Sequence, residues 1–316
     1  IWIMRQAGRY LPEFKKIRNL NPNFVNLCLN EKLSSEITLQ PLQRFELDAA
    51  IIFSDILMLP HGLNQKVEFK KDFGPQLGPL NLDEMSIINK IDFIEKLNPI
   101  YKSIKKVSEN NLIKNKNLIG FVGAPWTLLV YMINKHSPKQ KLKKDFFKDE
   151  ILINKTLAIL EKFLKIHVDQ QIKNGATVIQ IFDSWAGLLE QKDLPNYIYI
   201  PTLNLVNYIK SLNIPAICFP RGIKDYKNYC NIVKPDAVNI DYTVDPTFIC
   251  KEINIPVQGG LDPKVLLTDN QNLKKETLKY LNTFKDHPYI FNLGHGVLPE
   301  TDPEMVDYLV KTVKDY

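Results

Sequence analysis

Short, near-continuous apolar runs recur along this chain at residues 1–4, 50–53, 118–122, 178–182, 216–219, 237–240, 256–258 and 289–293. Each is followed by turn residues and most then lead into a helical pattern. A strand that is apolar on both faces must be covered on both, so these runs read as parallel strands wrapped by helices, not as a half-exposed antiparallel sheet. The intervening stretches 31–47, 92–109, 151–174 and 197–212 carry apolar residues at three-to-four spacing, the helical period. Eight such alternations in 316 residues predict a (β/α)8 TIM barrel of the α/β class, a fold that usually needs ~250 residues plus insertions. A doubly wound open sheet is the alternative. It loses its main support because no GxGxxG or GxxxxGK[ST] follows any run. No linker rich in Pro, Gly or Ser divides the chain, so residues 1–316 read as a single barrel domain, with a long excursion at 64–83 after the second run.

In a barrel, the residues just past the carboxyl end of each strand line the active site, so eight positions can be read directly. They are Arg5-Gln6-Ala7-Gly8-Arg9-Tyr10, Ser54-Asp55, Gly123-Ala124-Pro125-Trp126, Asp183-Ser184-Trp185, Arg221-Gly222, Asp241-Tyr242, Gly259-Gly260 and Gly294-His295-Gly296. They are unusually polar and rich in glycine.

Charge sharpens this picture. The net charge of +6 comes from 41 cationic against 35 acidic residues, and only five of the cations are arginines. The lysine excess, with 28 asparagines beside it, reads as compositional drift and a solvated surface. Lysine runs at 102–106 and 139–144 read as wet helix faces and carry no nucleic-acid motif. Three of the five arginines fall within the first 18 residues, and Arg5 and Arg9 flank Gly8 at a strand end. The guanidinium fork suits carboxylates or phosphates, which favours an anion clamp over surface ion pairs.

Asp55 stands alone in a hydrophobic neighbourhood and must be paired, protonated or aimed at a ligand. His295, between two glycines at the last strand, is either a satisfied loop histidine or a base. Ser184 with His295 and Asp55 or Asp183 suggests a hydrolytic triad, but no GxSxG elbow surrounds the serine. Tyr131 by itself reads as packing. The four cysteines form no CxxC pair and the five histidines lack ligand spacing, so no metal site is visible. No stretch reaches the ~18 apolar residues that cross a bilayer. The chain opens at Ile1 without an initiator methionine, which reads as a trimmed amino end from which any targeting segment is lost.

Taken together, the strand-end residues carry a resemblance. Residues 4–14, Met-Arg-Gln-Ala-Gly-Arg-Tyr-Leu-Pro-Glu-Phe, and residues 120–128, Gly-Phe-Val-Gly-Ala-Pro-Trp-Thr-Leu, resemble the two signatures of the uroporphyrinogen decarboxylase family. Blocks at 52–57, 258–263 and 292–296 match in the same order. The resemblance implies a homodimeric barrel that uses no metal or organic cofactor. It implies that four acetate groups of uroporphyrinogen III are removed as CO2, giving coproporphyrinogen III on the route to haem. It implies Asp55 beneath the pyrrole N–H groups and Arg5 and Arg9 on carboxylates. Arg5 would be a candidate proton donor, although an ordinary arginine is too weak an acid to act without help from water or substrate. It further implies substrate contacts from Tyr131, Ser184 and His295, with Gln6 and Arg18 belonging to the first block. The charge state of His295 stays open.

The chain departs from the family pattern at Gln43, at Gly260 and in the 134–138 loop. A methyltransferase of the corrinoid or cobalamin-independent type is a second reading, with Cys218 and His295 as the start of a zinc site. A non-enzymatic barrel binding porphyrin or nucleic acid is a third. The address reads as cytoplasm or an apicoplast-like plastid.

Overall fold

The structure is a computed structural model that describes residues 1–70, 73–138, 141–142 and 145–316. The apolar runs form strands β1 (Ala49–Ile51), β4 (Asn117–Gly123), β5 (Val178–Asp183), β6 (Ala216–Pro220), β7 (Ala237–Ile240), β8 (Val257–Gly259) and β9 (Tyr289–Ile290), while β2 (Val67–Lys70) and β3 (Gly74–Leu77) form a separate hairpin. The sheet runs β1-β4-β5-β6-β7-β8-β9 with every neighbouring pair parallel. Strands β1, β6 and β7 are buried at every position, which is why their sequences do not alternate.

The first apolar run departs from expectation. It closes the ring between β9 and β1 without becoming a regular strand. The Asp48 N–H donates to the Ile1 carbonyl at 2.9 Å and the Trp2 N–H to the Phe291 carbonyl at 3.4 Å. Beyond these two bonds, side chains replace the ladder. The Met4 N–H donates to Asn292 Oδ1 at 2.8 Å, and the Gln6 amide donates to the Ala49 carbonyl at 3.0 Å. The predicted eighth stave is therefore an irregular one, and the barrel is a curled sheet of seven strands among the described residues.

Strand parity sorts side chains to two sides. Trp2, Met4, Ala49, Ile51, Ile119 and Phe219 fill the interior with Phe121, Val178 and Phe182. Above them lies a buried amide layer. The Trp2 indole donates to Gln258 Oε1 at 2.9 Å, and the Gln258 amide donates to Gln180 Oε1 at 3.1 Å and to Asn239 Oδ1 at 2.6 Å. The alternate residues, such as Ile179, Ile181, Cys218 and Val238, face the helices in the larger core.

The predicted helices appear at Glu31–Arg44, Lys90–Ser108, Glu150–Lys173 and Ile200–Ser211. The first stops before 47 because Phe45 turns extended, its N–H closing the last turn on the Pro41 carbonyl. Asn30, Asn89 and Asp149 cap the first three by accepting a backbone N–H. Lys102, Lys105 and Lys106 are exposed on their helix, as expected, whereas four residues of the 139–144 run lie outside the described residues. The 64–83 excursion holds the β2–β3 hairpin, whose Leu77 N–H donates to the Lys135 carbonyl at 2.7 Å. No helix among the described residues is long and apolar enough to cross a membrane.

Candidate active site

The loops after the first run and after β9 interlock. Arg5 holds a left-handed backbone, φ 63°, a conformation that costs a non-glycine residue about 1 kcal/mol and persists where the surroundings impose it. Its side chain lies across Gly296, where a Cβ would fall 2.3 Å from Arg5 Cδ and 2.6 Å from Cγ. Only a glycine lets the arginine stem pass. The Val297 N–H donates to the Met4 carbonyl at 2.9 Å and fixes the two loops together.

Asp55 is half-buried beside this junction, and its Oδ1 accepts the Leu57 N–H at 2.9 Å. Burial pushes its carboxyl up to about 6, against the opposing pull of the Leu57 N–H and the Arg5 charge. Arg5, by contrast, is lowered by burial and by the Arg9 charge, with Asp55 and Tyr131 offsetting and Arg221 adding to the decrease. Burial and Asp55 push the Tyr131 hydroxyl up to about 12. Burial, Arg5 and Arg221 bring His295 down to about 4, so its imidazole is neutral at pH 7. These mutual effects place Arg5, Arg9, Arg221, Asp55, Tyr131 and His295 around one mouth. Arg5 keeps exposed surface while lying among enough protein to be desolvated, the geometry of a side chain standing in a concavity. Among the described residues no carboxylate comes within ion-pair distance of Arg5, Arg9 or Arg221, whereas Arg44 pairs with Glu13 elsewhere. Asp55 thus has no ion-pair partner among the described residues and is ionised at pH 7.

Ser184 continues the inward parity of Gln180 and Phe182 and is half-buried. Asp183 points to the helix side, where its Oδ1 accepts the Thr127 hydroxyl at 2.6 Å and burial pushes it up to about 7. Neighbours in sequence on opposite faces cannot serve one triad, and no Ser184–His295 hydrogen bond exists among the described residues. Tyr131 packs edge-on to Trp185 with centroids 5.8 Å apart, so it serves packing as well as the mouth.

Two expected residues are not brought into the cluster. Gln6 has no accessible surface, and its amide is spent on the Ile3 N–H and the Ala49 carbonyl, both at 3.0 Å. It ties the first run to β1 instead of offering its side chain to a ligand. Arg18 donates to the Asn21 carbonyl at 2.6 Å and stacks 5.6 Å from the Phe24 ring centroid, closing the Pro12–Leu20 helix. Arg221, in turn, was read at a strand end from the sequence but given no role there. The signal was its parity: it follows Ile217 and Phe219 on the inner face of β6.

The departures have physical counterparts. Gly260 has φ 113°, and a Cβ there would sit 2.4 Å from Tyr280 Cε1, so the tyrosine ring fills the space of a side chain while its hydroxyl donates to the Gly260 carbonyl at 2.7 Å. The 134–138 loop is bound to the hairpin through the Lys135 carbonyl. Gln43 is exposed at the opposite, amino-terminal end of the barrel, beside Arg44, Lys116 and Lys314.

No group of three His, Cys, Asp or Glu side chains among the described residues is arranged to hold a metal ion. Cys218 lies in the helix-facing core and its thiol is pushed up to about 12 by burial, while His295 stands at the mouth. The two donors lie on opposite sides of the sheet wall.

A family model described as uroporphyrinogen decarboxylase (URO-D) matches residues 1–316. The uroporphyrinogen decarboxylase of Rickettsia felis is 40% identical over 323 positions, covering 100% of this chain and 93% of its own. That of Rickettsia bellii is 41% identical over 328 positions, covering 100% and 94%. Among solved structures, a methyltransferase from Methanosarcina mazei superposes with a TM-score of 0.76 at 15% identity over 95% of this chain and 90% of that one. A B12-independent methionine synthase from Shewanella sp. W3-18-1 does so with 0.56 at 12% identity over 90% and 87%. At such identities these two likenesses are of fold alone.

Proposed function

Because this chain belongs to the uroporphyrinogen decarboxylase family, we propose that the mouth shared by Asp55, Arg5, Arg9, Tyr131, Ser184 and His295 is where its substrate reacts. The reaction is decarboxylation of uroporphyrinogen in porphyrin and haem biosynthesis. One observation carries the assignment to this mouth: a carboxylate, ionised at pH 7, set among guanidinium groups, none of these charges having an ion-pair partner among the described residues.

The chemistry requires this combination. An acetate on a pyrrole has no electron sink until the adjacent ring carbon is protonated and the ring becomes cationic. The C–C bond then breaks, CO2 leaves, and the released pair neutralises the ring and forms an exocyclic methylene. A proton adds to that methylene and the ring proton departs, so each acetate becomes a methyl with one proton taken up and one CO2 released. Asp55, beneath the pyrrole N–H groups, stabilises the cation by preorganised charge. Arg5 and Arg9 hold carboxylates, and the lowered proton affinity of Arg5 suits it to share in proton delivery. Neutral His295 donates an N–H to a carboxylate, joined by the Tyr131 and Ser184 hydroxyls. Gln6 acts by tying the loop that carries Arg5 and Arg9 to β1, and Arg18 by closing the helix that follows that loop.

Four acetates removed per macrocycle, independence from cofactors, and a homodimer belong to the same proposal and are supported by the family resemblance. A cytoplasmic address accords with the bacterial relatives, which lend no support to a plastid. The test is incubation of the purified chain with uroporphyrinogen III, with and without a chelator. Coproporphyrinogen III and four CO2 per substrate are expected in both. No CO2 would overturn the reading, and loss of activity to the chelator would overturn cofactor independence. Sizing chromatography at twice the chain mass would support the dimer.

A further inference from the structure

Arg221 follows β6, and two backbone–backbone bonds and one bond to a side-chain carboxylate fix its turn independently of its own side chain. Its N–H donates to the Asp183 carbonyl at 3.1 Å, its carbonyl accepts the Gly187 N–H at 3.0 Å, and the Gly222 N–H donates to Asp241 Oδ2 at 2.9 Å. Strand parity turns its side chain inward, after Ile217 and Phe219. It is half-buried and has no acidic partner within ion-pair distance among the described residues. A half-buried guanidinium at the mouth with no acidic partner keeps its donor fork open to a carboxylate of a ligand.

Its position around the ring is informative. Counting the irregular first run as one stave, the order is first run, β1, β4, β5, β6, β7, β8, β9. Arg5 and Arg9 follow the first stave and Arg221 the fifth, diametrically across the mouth. A macrocycle centred over Asp55 carries carboxylates on its whole circumference, so those facing away from Arg5 and Arg9 meet Arg221.

We propose that Arg221 is a substrate-binding residue that clamps a side-chain carboxylate on the edge of the macrocycle opposite the edge held by Arg5 and Arg9. This rests on the reading of the mouth as the uroporphyrinogen site. The two clamps divide the labour. The pair beside Asp55 attends the reacting edge, while Arg221 anchors the far edge, which contributes to affinity more than to the bond-breaking step.

The test compares Arg221→Met and Arg221→Lys with wild type on uroporphyrinogen III. Arg221→Met is expected to raise KM about tenfold, the loss of one charge-assisted carboxylate contact, with kcat within about threefold. Arg221→Lys keeps the charge and is expected to recover most of the KM. In the ligand-free protein, the imidazole titration of His295, read by NMR, is expected to move up from about 4 in Arg221→Met and to stay in place in Arg221→Lys. A KM within about twofold of wild type, a fall in kcat alone, or a lysine variant as poor as the methionine one would overturn the proposal. An unmoved His295 would overturn the placement of the guanidinium even if activity changed. If wild type itself releases no CO2, it is the reading of the mouth that fails.

Discussion

Replacing Asp55 by asparagine should remove activity and stabilise the fold. In the folded chain the carboxyl is raised to about 6 by burial, and an ordinary aspartate near 3.9 raised that far corresponds to ~3 kcal/mol against its ionised form at neutral pH. Discounting for the solvent that still reaches this half-buried side chain leaves about 2 kcal/mol. The direction in pH follows from proton binding. Between about 4 and 6 the folded chain holds a proton that the unfolded chain has lost, so the contribution of Asp55 to stability falls as pH rises through that window and stays low at pH 7. Asparagine carries no such cost and keeps an oxygen to accept the Leu57 N–H, which now reaches Asp55 Oδ1 at 2.9 Å.

At an unfolding entropy of about 2.1 cal/mol/K per residue, Asp55→Asn should raise Tm at pH 7 by about 3 °C. The gain should shrink toward zero as the pH approaches about 4. Coproporphyrinogen formation should fall about 10²- to 10³-fold, the loss expected when a preorganised charge is removed from a transition state. The assays are thermal melts of both proteins at pH 7 and near pH 4.5, and chromatography of the products. An asparagine variant less stable than wild type at pH 7 would sink the account of the buried charge. One with undiminished turnover would sink its use in catalysis.

Three further outcomes follow. The acid limb of the kcat/KM profile should report Asp55, with activity lost as pH falls through about 6, while His295, neutral from about 4 upward, adds no limb near neutrality; an acid limb absent down to pH 5 would contradict this. Gly296→Ala places a Cβ 2.3 Å from Arg5 Cδ, so the flexible stem must move and kcat/KM should drop about 10²-fold with little change in Tm; unchanged kinetics would show that Arg5 needs no such path. Gly260→Asn should lower stability by about 1–3 kcal/mol through its φ of 113° and its collision with Tyr280, and adding Tyr280→Ala should reduce the loss caused by the asparagine, as read from a double-mutant cycle of urea midpoints.

Much of the barrel was legible because its strands are apolar on both faces and its loops polar at one end. The first apolar run shows where that legibility stops. Composition gave it the look of a strand, yet two of the bonds that seat it come from Asn292 and Gln6 side chains. A pattern of hydrophobic residues says which segments are covered, and nothing about whether their backbone groups bond to a neighbouring strand or to an amide side chain 288 residues away.

The mouth divides along a similar line. Asp55, Arg5 and His295 stood out because each sits at a strand end with a chemistry ill suited to a core. Gln6 and Arg18 were grouped with them by adjacency in sequence. Space separated them: Gln6 found a carbonyl 43 residues on, and Arg18 turned back to close its own helix. Arg221 was placed at a strand end yet given no role for the opposite reason, since a search for clustered arginines weights the first 18 residues and passes over an isolated one. In a closed ring, however, positions far apart in sequence are the ones that face each other, and alternation along β6 points position 221 inward. For a substrate charged around its whole rim, a single cluster of cations could grip only one edge. The residue missed by clustering is therefore the kind that such a ligand requires on the far side.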